Sequence, residues 1–524
     1  MTDSIQLDWI PIQQGPILEA IAEEITASIL KKSNASSRGA SRADRQKRIK
    51  HIARLLVSSL HFTLTSPKKG LGVSLPLTAR YYSATDPNKI NLSHDSLMLV
   101  YRELEDRKWI SVKKGEVGKK LTVIKPIGLL KTNLEKIGLK WMQQGLLDQC
   151  IELRDVKRDG AGKPIRRKVG KKFKTTKIKL PLPQPEPLAL ATHRENLLKI
   201  NSFLIRHCVT LDLDDDQLLE TAKVRSEQDG EEQGYILDPR RVQLTRVFSR
   251  GNLGYGGRFY GGWWQGVPEV HRPHLRIDGY KTIEADFSAM AVHIIYSMLG
   301  SSYNETECPY DIFGDCQSDA EWQNDPRRKV VKKIFNAYIN DIDGVYKVSQ
   351  SQLKQLKLTE RELLNKFKDK HPLIVEQFGT DIGLRGQCID SQIAEQVMLT
   401  LMEECIVALP IHDSFVVRSG FYSHLEATMK DRFFNVTGSK ANISLGIVKN
   451  NNHFGLTEQE VLQQQNAYSA ELVLRIENPS LNELENGSDH FDIVSGKDTF
   501  DLIFNENQAI MNKYLSSFEL ARQG

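Results

Sequence analysis

Apolar and polar positions along the 524-residue chain divide it into helical and extended stretches. Ile21 and Ile25 lie near helical spacing within residues 1–32, which predicts a helix there. A Ser- and Gly-rich stretch at 33–41 predicts a flexible joint. A basic amphipathic helix is expected from Arg42 to about Leu60, because its Lys and Arg residues flank an apolar face.

The next segment predicts a helix followed by a hairpin. Ser93 is a favourable N-cap for a helix whose apolar residues, Leu97 among them, share one face. The run WISVKKGEVGKKLTVIKP (109–126) predicts a β-hairpin. Four lysines lie near its tip: Lys113, Lys114, Lys119 and Lys120. This order resembles the winged helix-turn-helix family, in which the helix enters the major groove of DNA and the wing contacts the backbone. A packing module with solvated lysines is the alternative interpretation.

Residues 154–179 form the most basic block, with 12 Lys and Arg against 2 Asp. Its β-branched residues and turn signals favour a hairpin, and phosphate is the natural partner of such a charge. A solvated basic loop is the alternative. The candidate phosphate contacts are Arg166, Arg167, Lys171 and Lys172. The Pro-rich stretch 180–190 predicts a domain boundary.

Composition narrows the class of protein. The net charge is only +5, which excludes a uniformly basic coat, but the charge is segregated into basic segments before residue 180 and an acidic tail after 455. The six Cys contain no C-x2-C pair, so neither a disulfide framework nor a zinc finger is expected. No signal peptide and no apolar run of about 18 residues is found, which predicts a cytoplasmic protein without a membrane partner.

Two carboxylates follow predicted strands. Asp286 lies where the run 282–299 changes from strand-like to helix-like, and His412 and Asp413 form the tip of a tight turn within 405–417. Two strand-associated carboxylates can converge on two divalent ions, one activating a nucleophile and one neutralising a leaving group. Taken singly, each Asp is better explained by a capping or turn role.

Four short motifs in this region occur in the order of a known family. GGRFYGGWWQGVP (256–268) is similar to the T-G-R-L…Q-N-I-P segment of family A polymerases, and EADFSAMAVH resembles their motif A. RRKVVKKIFNAY (327–338) resembles motif B, and PIHDSF (410–415) resembles motif C in the spelling of single-subunit phage-type RNA polymerases. The resemblance covers about a third of the chain. It implies a right-hand polymerase palm and fingers.

The resemblance also implies roles for individual residues. Asp286 and Asp413 would bind two Mg2+ ions, or Mn2+, with the Phe287 carbonyl as a further ligand and His412 beside them at the primer end. Arg258 would contact the primer–template duplex. The remaining roles concern the incoming nucleotide: Arg328 and Lys332 at its triphosphate, with Lys333 as a near-equal candidate, and Tyr338 at its sugar and base.

Two departures from the family pattern matter. The interval from Lys332 to Tyr338 is shorter than in the family, and Ile follows Tyr338 in place of Gly. DNA-synthesising members carry a Glu that blocks a ribose 2′-hydroxyl, and here Ala291 occupies that position. A small residue leaves room for the hydroxyl, so ribonucleotides are expected to be accepted.

The sequence therefore predicts an α+β protein that acts as a nucleic acid polymerase or primase of a plasmid or phage, with DNA template or origin and nucleoside triphosphates as partners. No protein partner is indicated. A DNA-binding initiator with an inactive palm, and a template-independent nucleotidyltransferase in phage defence, are the alternatives. The expected regions are N-terminal helices with a joint (1–60), a winged helix (61–130), a basic segment with a Pro-rich linker (131–190), a helical thumb-like region (191–254), palm and fingers (255–455) and an acidic helical tail (456–524).

Overall fold

The computed structural model describes residues 4–6, 15–32, 42–64, 72–83, 92–115, 121–137, 146, 150–169, 172–213, 241–304, 307–315, 322, 325–342 and 346–445. Over these residues helices and strands are interspersed along the chain, and most strand pairings are antiparallel. The structure is therefore mixed α and β, which agrees with the expected α+β class. The joint at 33–41 and the acidic tail after 455 lie outside the described residues.

The first part of the chain packs four helices against a small sheet. Its elements are β1 (Ser4–Gln6), α1 (Pro16–Lys32), α2 (Arg42–Leu64), β2 (Gly72–Leu75), α3 (His94–Asp106), β3 (Ile110–Lys113), β4 (Thr122–Pro126) and α4 (Gly128–Ile137). The sheet order is β1-β2-β4-β3, with β4 antiparallel to both β2 and β3. Residues 4–6 are thus a strand, because they pair with 72–74 in parallel, and the predicted helix over 1–32 is wrong for them.

Local sequence signals account for these elements. The Ser93 hydroxyl accepts a hydrogen bond from the Ser96 backbone amide, so α3 begins where the N-cap was predicted. Leu97, Val100 and Leu104 are fully buried in one apolar core with Val73 and Ile124. The predicted hairpin at 109–126 is confirmed as β3 and β4. α2 and α4 extend across the predicted region limits at 60 and 130, because their apolar faces continue into the same core.

The basic segment forms strands of a second sheet. The elements are β5 (Ile151–Val156), β6 (Arg166–Val169), β7 (Lys172–Thr175) and β8 (Lys177–Leu180), followed by α5 (Leu188–Leu204) and β9 (Val209–Leu211), then β10 (Thr245–Ser249) and β11 (Asn252–Tyr260). The sheet order is β11-β10-β5-β8, and β6 pairs with β7 in a separate hairpin. Through β5 and β8 the basic segment belongs to the same sheet as β11, the strand that carries Arg258, with β10 between them, so it is not a separate linker region.

A third sheet carries both candidate carboxylates. It adds β12 (Leu275–Ile277), β13 (Tyr280–Phe287), β14 (Leu409–Ile411), β15 (Ser414–Arg418) and β16 (Ile443–Leu445). The order is β14-β15-β13-β12-β9, with β16 also paired to β13. The predicted helical region 191–254 is wrong for residues 209–211 and 245–254, because β9, β10 and the start of β11 lie there, and residues 214–240 lie outside the described part. Val209 and Leu211 are buried in this sheet's core, which favours extended structure there.

Helices surround this sheet. They are α6 (Met290–Met298), α7 (Pro326–Ile339), α8 (Gln350–Leu356), α9 (Glu360–Lys370), α10 (Pro372–Val375), α11 (Ile382–Glu403) and α12 (Tyr422–Thr437). α11 and α12 share the core of the third sheet, whereas α7, α8 and α9 pack around a separate apolar cluster that includes Phe335 and Phe367. Among the helices of the described residues, none is long and apolar enough to cross a membrane.

Candidate functional site

Strand register brings Asp286 and Asp413 together. In the antiparallel pair β13–β15, Asp286 lies directly opposite Ser414, so Asp413 is the next residue across the ladder. The Phe287 amide donates to the Asp413 carbonyl oxygen at 3.3 Å, which extends the pairing to the end of β13. The two carboxylates, far apart in the sequence, therefore stand at the same edge of one sheet. The predicted strand-to-helix junction at Asp286 and the predicted turn at 412–413 are both confirmed.

The backbone on both sides of this edge is strained. His412 has φ 59° in the two-residue turn between β14 and β15, and Ala289 has φ 53° at the start of α6. Non-glycine residues seldom adopt this left-handed region, which costs about 1–2 kcal/mol for each residue. Such strain persists where the surrounding structure enforces it, and it is concentrated at functional sites.

The carboxylates open into a cleft of about 540 Å³. Its walls come from the end of β13, the start of α6, the loop at 307–310, α7, α11 and the turn at 412–413. Six predicted site residues with charged or polar side chains line the cleft: Asp286, Asp413, His412, Arg258, Arg328 and Lys332. Phe287 and Ala291 line it as well. A polar cleft of this size accommodates a nucleotide-sized ligand.

Two cations of α7 form the wall beside Tyr310. Arg328 and Lys332 are one helical turn apart, so they project from the same face of α7. The Arg328 guanidinium carbon lies 5.9 Å from the centre of the Tyr310 ring, and the Lys332 Nζ lies 5.7 Å from it. Among the described residues neither cation forms an ion pair, and the buried Arg328 Nε has no hydrogen-bond partner. The wall therefore presents two uncompensated positive charges to the cleft.

The neighbouring Arg327 shows the contrast. Its guanidinium pairs with Asp315 at 2.7 Å and with Asp325 at 2.6 Å, and it does not line the cleft. Its charge is therefore compensated within the protein. The helix thus places one neutralised arginine outside the cleft and one uncompensated arginine inside it.

A β-bulge orients Arg258. Val247 of β10 pairs with Arg258 and Phe248 pairs with Gly256, which leaves Gly257 as the extra residue. Gly257 has φ +82°, and a Cβ there would lie 2.7 Å from Ser391 Oγ, so only glycine fits. The fully buried Arg246 fixes the bulge, because its Nε donates to the Gly257 carbonyl and its Nη1 to Glu395.

Arg258 bonds to a carboxylate that the sequence reasoning missed. Its Nε donates to Asp390 Oδ2 at 2.6 Å, and Asp390 is 3% exposed. Burial raises the pKa of Asp390 to about 6, against the lowering effect of Arg258, and the Asp413 charge raises it further. Burial also lowers the pKa of Arg258, but Asp390 and Asp413 outweigh burial and hold it above its ordinary value.

Two predicted nucleotide contacts do not line the cleft. Lys333 is exposed on another face of α7, so the structure selects Lys332 of the two candidates. Tyr338 is buried, stacks on Phe378 with ring centres 4.8 Å apart and donates from its hydroxyl to Glu360. The prediction for Tyr338 is wrong in this structure, because its ring belongs to the core around Phe367.

The donor set at the carboxylates suits a hard divalent cation. Asp286, Asp413 and the Phe287 carbonyl supply oxygen atoms only, which are the ligands that Mg2+ and Mn2+ prefer. Within the described ranges no group of three or more His, Cys, Asp or Glu side chains is arranged to hold a metal. Mg2+ is typically held by one or two carboxylates together with substrate phosphates and water, so the residues present fit it.

The predicted nucleic-acid contacts are only partly within the described residues. Lys113, Lys114 and Arg166 are exposed on the two hairpins. Lys119, Lys120 and Lys171, and the side chains of Arg167 and Lys172, lie outside the described part. The exposed face of α3 carries Asp95, Glu105 and Asp106 beside Arg102, so it is acidic. Phosphate contact is therefore better supported at the hairpins than on α3.

The structure adds cleft residues that motif matching did not find. Tyr310 lies in a loop between two motifs, and Asp390 lies on α11, between the segments that resemble motifs B and C. A signal for Asp390 was present, since an acid at a buried position of a largely apolar helix needs a partner. For Tyr310 no such signal exists.

Comparison with protein-family models and with curated proteins gives no match for this chain.

Proposed function

We propose that this chain is a nucleotidyltransferase of the polymerase or primase type, and that the cleft holds a nucleoside triphosphate and the 3′ end that it extends. The observation that carries the proposal is the arrangement of charge. Two carboxylates, Asp286 and Asp413, face an arginine and a lysine that have no ion-pair partner among the described residues. Transfer of a nucleotidyl group requires a pair of carboxylates that hold divalent cations and positively charged side chains that bind the phosphates.

In this proposal Arg328 and Lys332 bind the triphosphate. The arginine fork contacts two oxygens and the lysine acts as a point charge. Asp286, Asp413 and the Phe287 carbonyl would hold divalent cations, which would supply activation of the attacking hydroxyl and neutralisation of the leaving group. The 3′-hydroxyl loses its proton to solvent as its oxygen attacks the α-phosphorus, the bond from the α-phosphorus to the bridging oxygen of the β-phosphate breaks, and pyrophosphate leaves. The charged walls act by positioning and by charge neutralisation.

Ala291 supports the use of ribonucleotides. It lines the cleft on the first turn of α6, close in the chain to Asp286, and its methyl group leaves space that a Glu would fill. No polar group from this position enters the cleft to oppose a 2′-hydroxyl. The expected substrates therefore include ribonucleoside triphosphates, which favours a primase or RNA polymerase activity.

The N-terminal part supports a DNA-binding role by its topology. A helix, a strand, a helix and a two-stranded hairpin follow one another as α2, β2, α3, β3 and β4, and β4 pairs between β2 and β3. This order of elements supports the winged helix that the sequence suggests. The exposed lysines of its hairpin and the basic hairpin of β6 and β7 supply positive charge for a phosphate backbone. A replication protein that binds DNA and primes or copies there combines both parts.

The test is nucleotide incorporation by the purified chain with Mg2+ or Mn2+. Ribonucleotides and deoxyribonucleotides are supplied separately, with and without template and with and without primer. Asp413→Asn is expected to lose about a hundredfold to a thousandfold in rate, since removing one electrostatic stabiliser costs about 10²–10³. Incorporation that is equal in wild type and Asp413→Asn would exclude the two-cation site, and incorporation without template would select the template-independent alternative.

Adjacent residues on α7 provide a matched control. Arg328→Ala removes an uncompensated charge from the cleft, whereas Arg327→Ala removes a compensated one outside it. We expect Arg328→Ala to raise the KM for nucleotide by about tenfold or more, which corresponds to loss of one charge-assisted hydrogen bond. Arg327→Ala should leave that KM within about twofold of wild type. Equal effects of the two variants would remove α7 from the nucleotide site.

A further inference from the structure

Asp390 is a buried carboxylate in the cleft for which the proposed chemistry has no use. It projects from α11 and is 3% exposed. Both contacts to it come from Arg258, with Nε at 2.6 Å and Nη2 at 2.5 Å from Oδ2. A carboxylate in such surroundings is costly unless it is paired, so its retention beside the cleft needs an explanation.

The contacts of Arg258 explain why a buried carboxylate lies at position 390 beside the cleft. The charges of Asp390 and Asp413 both raise the pKa of Arg258, yet Arg258 forms an ion pair with Asp390 and none with Asp413. Arg258 thus lines the same cleft as both carboxylates and is bonded to the one on α11. An arginine bonded to Asp413 would compete with any divalent cation for the same oxygens, because both neutralise the same charge.

We infer that Asp390 is a positioning residue that holds the Arg258 guanidinium on the α11 side of the cleft and leaves Asp413 available, with Asp286, for a divalent cation. The inference rests on the cation site of the proposed function. Without the Asp390 charge, the partly buried Arg258 loses its ion pair, and Asp413 is the other carboxylate whose charge acts on it. Arg258 would then form an ion pair with the Asp413 carboxylate, and the divalent cation would bind there more weakly.

The test is Mn2+ binding to the intact protein, measured from the loss of the free-ion signal in electron paramagnetic resonance. The variants are Asp390→Asn, Arg258→Gln and the double variant, with Asp286→Asn/Asp413→Asn as the reference for loss of the site. We expect Asp390→Asn to weaken Mn2+ binding by about tenfold, the scale of outer partners of metal sites. The double variant should bind at least as tightly as wild type, because the competing cation is gone.

A matched ion pair controls for loss of stability. The side chains of Asp381 and Arg250 are 2% and 24% exposed, nearly the same as the side chains of Asp390 and Arg258 at 4% and 26%, and the Asp381–Arg250 contact measures 2.8 Å. Asp381 does not line the cleft. Asp381→Asn should therefore lower the melting temperature like Asp390→Asn but leave Mn2+ affinity unchanged.

The outcomes separate the inference from the proposed function. If wild type binds Mn2+ but Asp390→Asn binds it equally well, or if the double variant is as weak as Asp390→Asn, then the positioning role is overturned while the cation site stands. If wild type binds no more Mn2+ than Asp286→Asn/Asp413→Asn, both the cation site and the positioning role are overturned.

Discussion

Gly257 is the position at which a single added methyl group should disturb both stability and the cleft. Its φ is +82°, and a Cβ would lie 2.7 Å from Ser391 Oγ and 2.9 Å from the Phe248 ring. The left-handed backbone costs an alanine about 1–2 kcal/mol. Overpacking adds about 1–3 kcal/mol, because Phe248 is 1% exposed and cannot withdraw freely. Gly257→Ala is therefore expected to lower the free energy of unfolding by about 2–5 kcal/mol.

Urea unfolding monitored by tryptophan fluorescence measures this loss, since Trp263 and Trp264 are buried in the same core as Phe248. Gly162→Ala is the matched control, because Gly162 has φ +78° but nothing within 4 Å of its Cβ position. It should lose only the backbone cost. Equal losses for the two variants would refute the steric argument for the bulge. Gly257→Ala should lose more free energy of unfolding than Gly162→Ala. It should also bind primer more weakly, since the bulge orients Arg258.

Three further predictions follow from single residues. Ala289→Gly should raise the free energy of unfolding by about 1 kcal/mol in the same assay, because glycine adopts its φ of 53° without strain; a loss of stability would contradict this. Burial lowers the pKa of His371 from 6.5 to about 4, so the unfolded chain binds the proton first as the pH falls. The free energy of unfolding should therefore decrease by about 3 kcal/mol between pH 6.5 and pH 4, and His371→Gln should remove that part of the decrease. Ala291→Glu should reduce incorporation of ribonucleotides roughly 10- to 100-fold relative to deoxyribonucleotides in primer extension; strict use of deoxyribonucleotides by the wild type, unchanged in this variant, would contradict the role of Ala291.

Much of the local structure could be predicted because its signals are local. The N-cap at Ser93, the hairpin at 109–126 and the strand-to-helix junction at Asp286 each depend on neighbouring residues, and each is confirmed. The segment after residue 204 could not be predicted in this way. β9 is three residues long, and its partner β12 lies far along the chain, so only long-range pairing makes it a strand.

The candidate site also contains residues that local sequence patterns predicted and residues that they did not. Motif order brought Asp286, Asp413, Arg258, Arg328 and Lys332 into consideration, and all five line one cleft. It failed to separate Lys332 from Lys333, because both are exposed and adjacent in the chain. The rotation of α7 against its core decides which of them faces the cleft. It also failed for Tyr338, whose ring is removed from the cleft by stacking on Phe378.

The sequence alone determined which residues carry the candidate chemistry and in which local elements they lie, because helix caps, turns and apolar periodicity are set by near neighbours. The tertiary structure decided which of these residues meet. The pairing of Asp286 with Ser414 places Asp413 beside Asp286, the bulge at Gly257 aims Arg258, and α11 supplies Asp390 to hold it. The Asp286–Ser414 pairing and the Arg258–Asp390 contact each join residues more than a hundred positions apart, and only the packed fold selects such contacts from the many that a chain of this length could form.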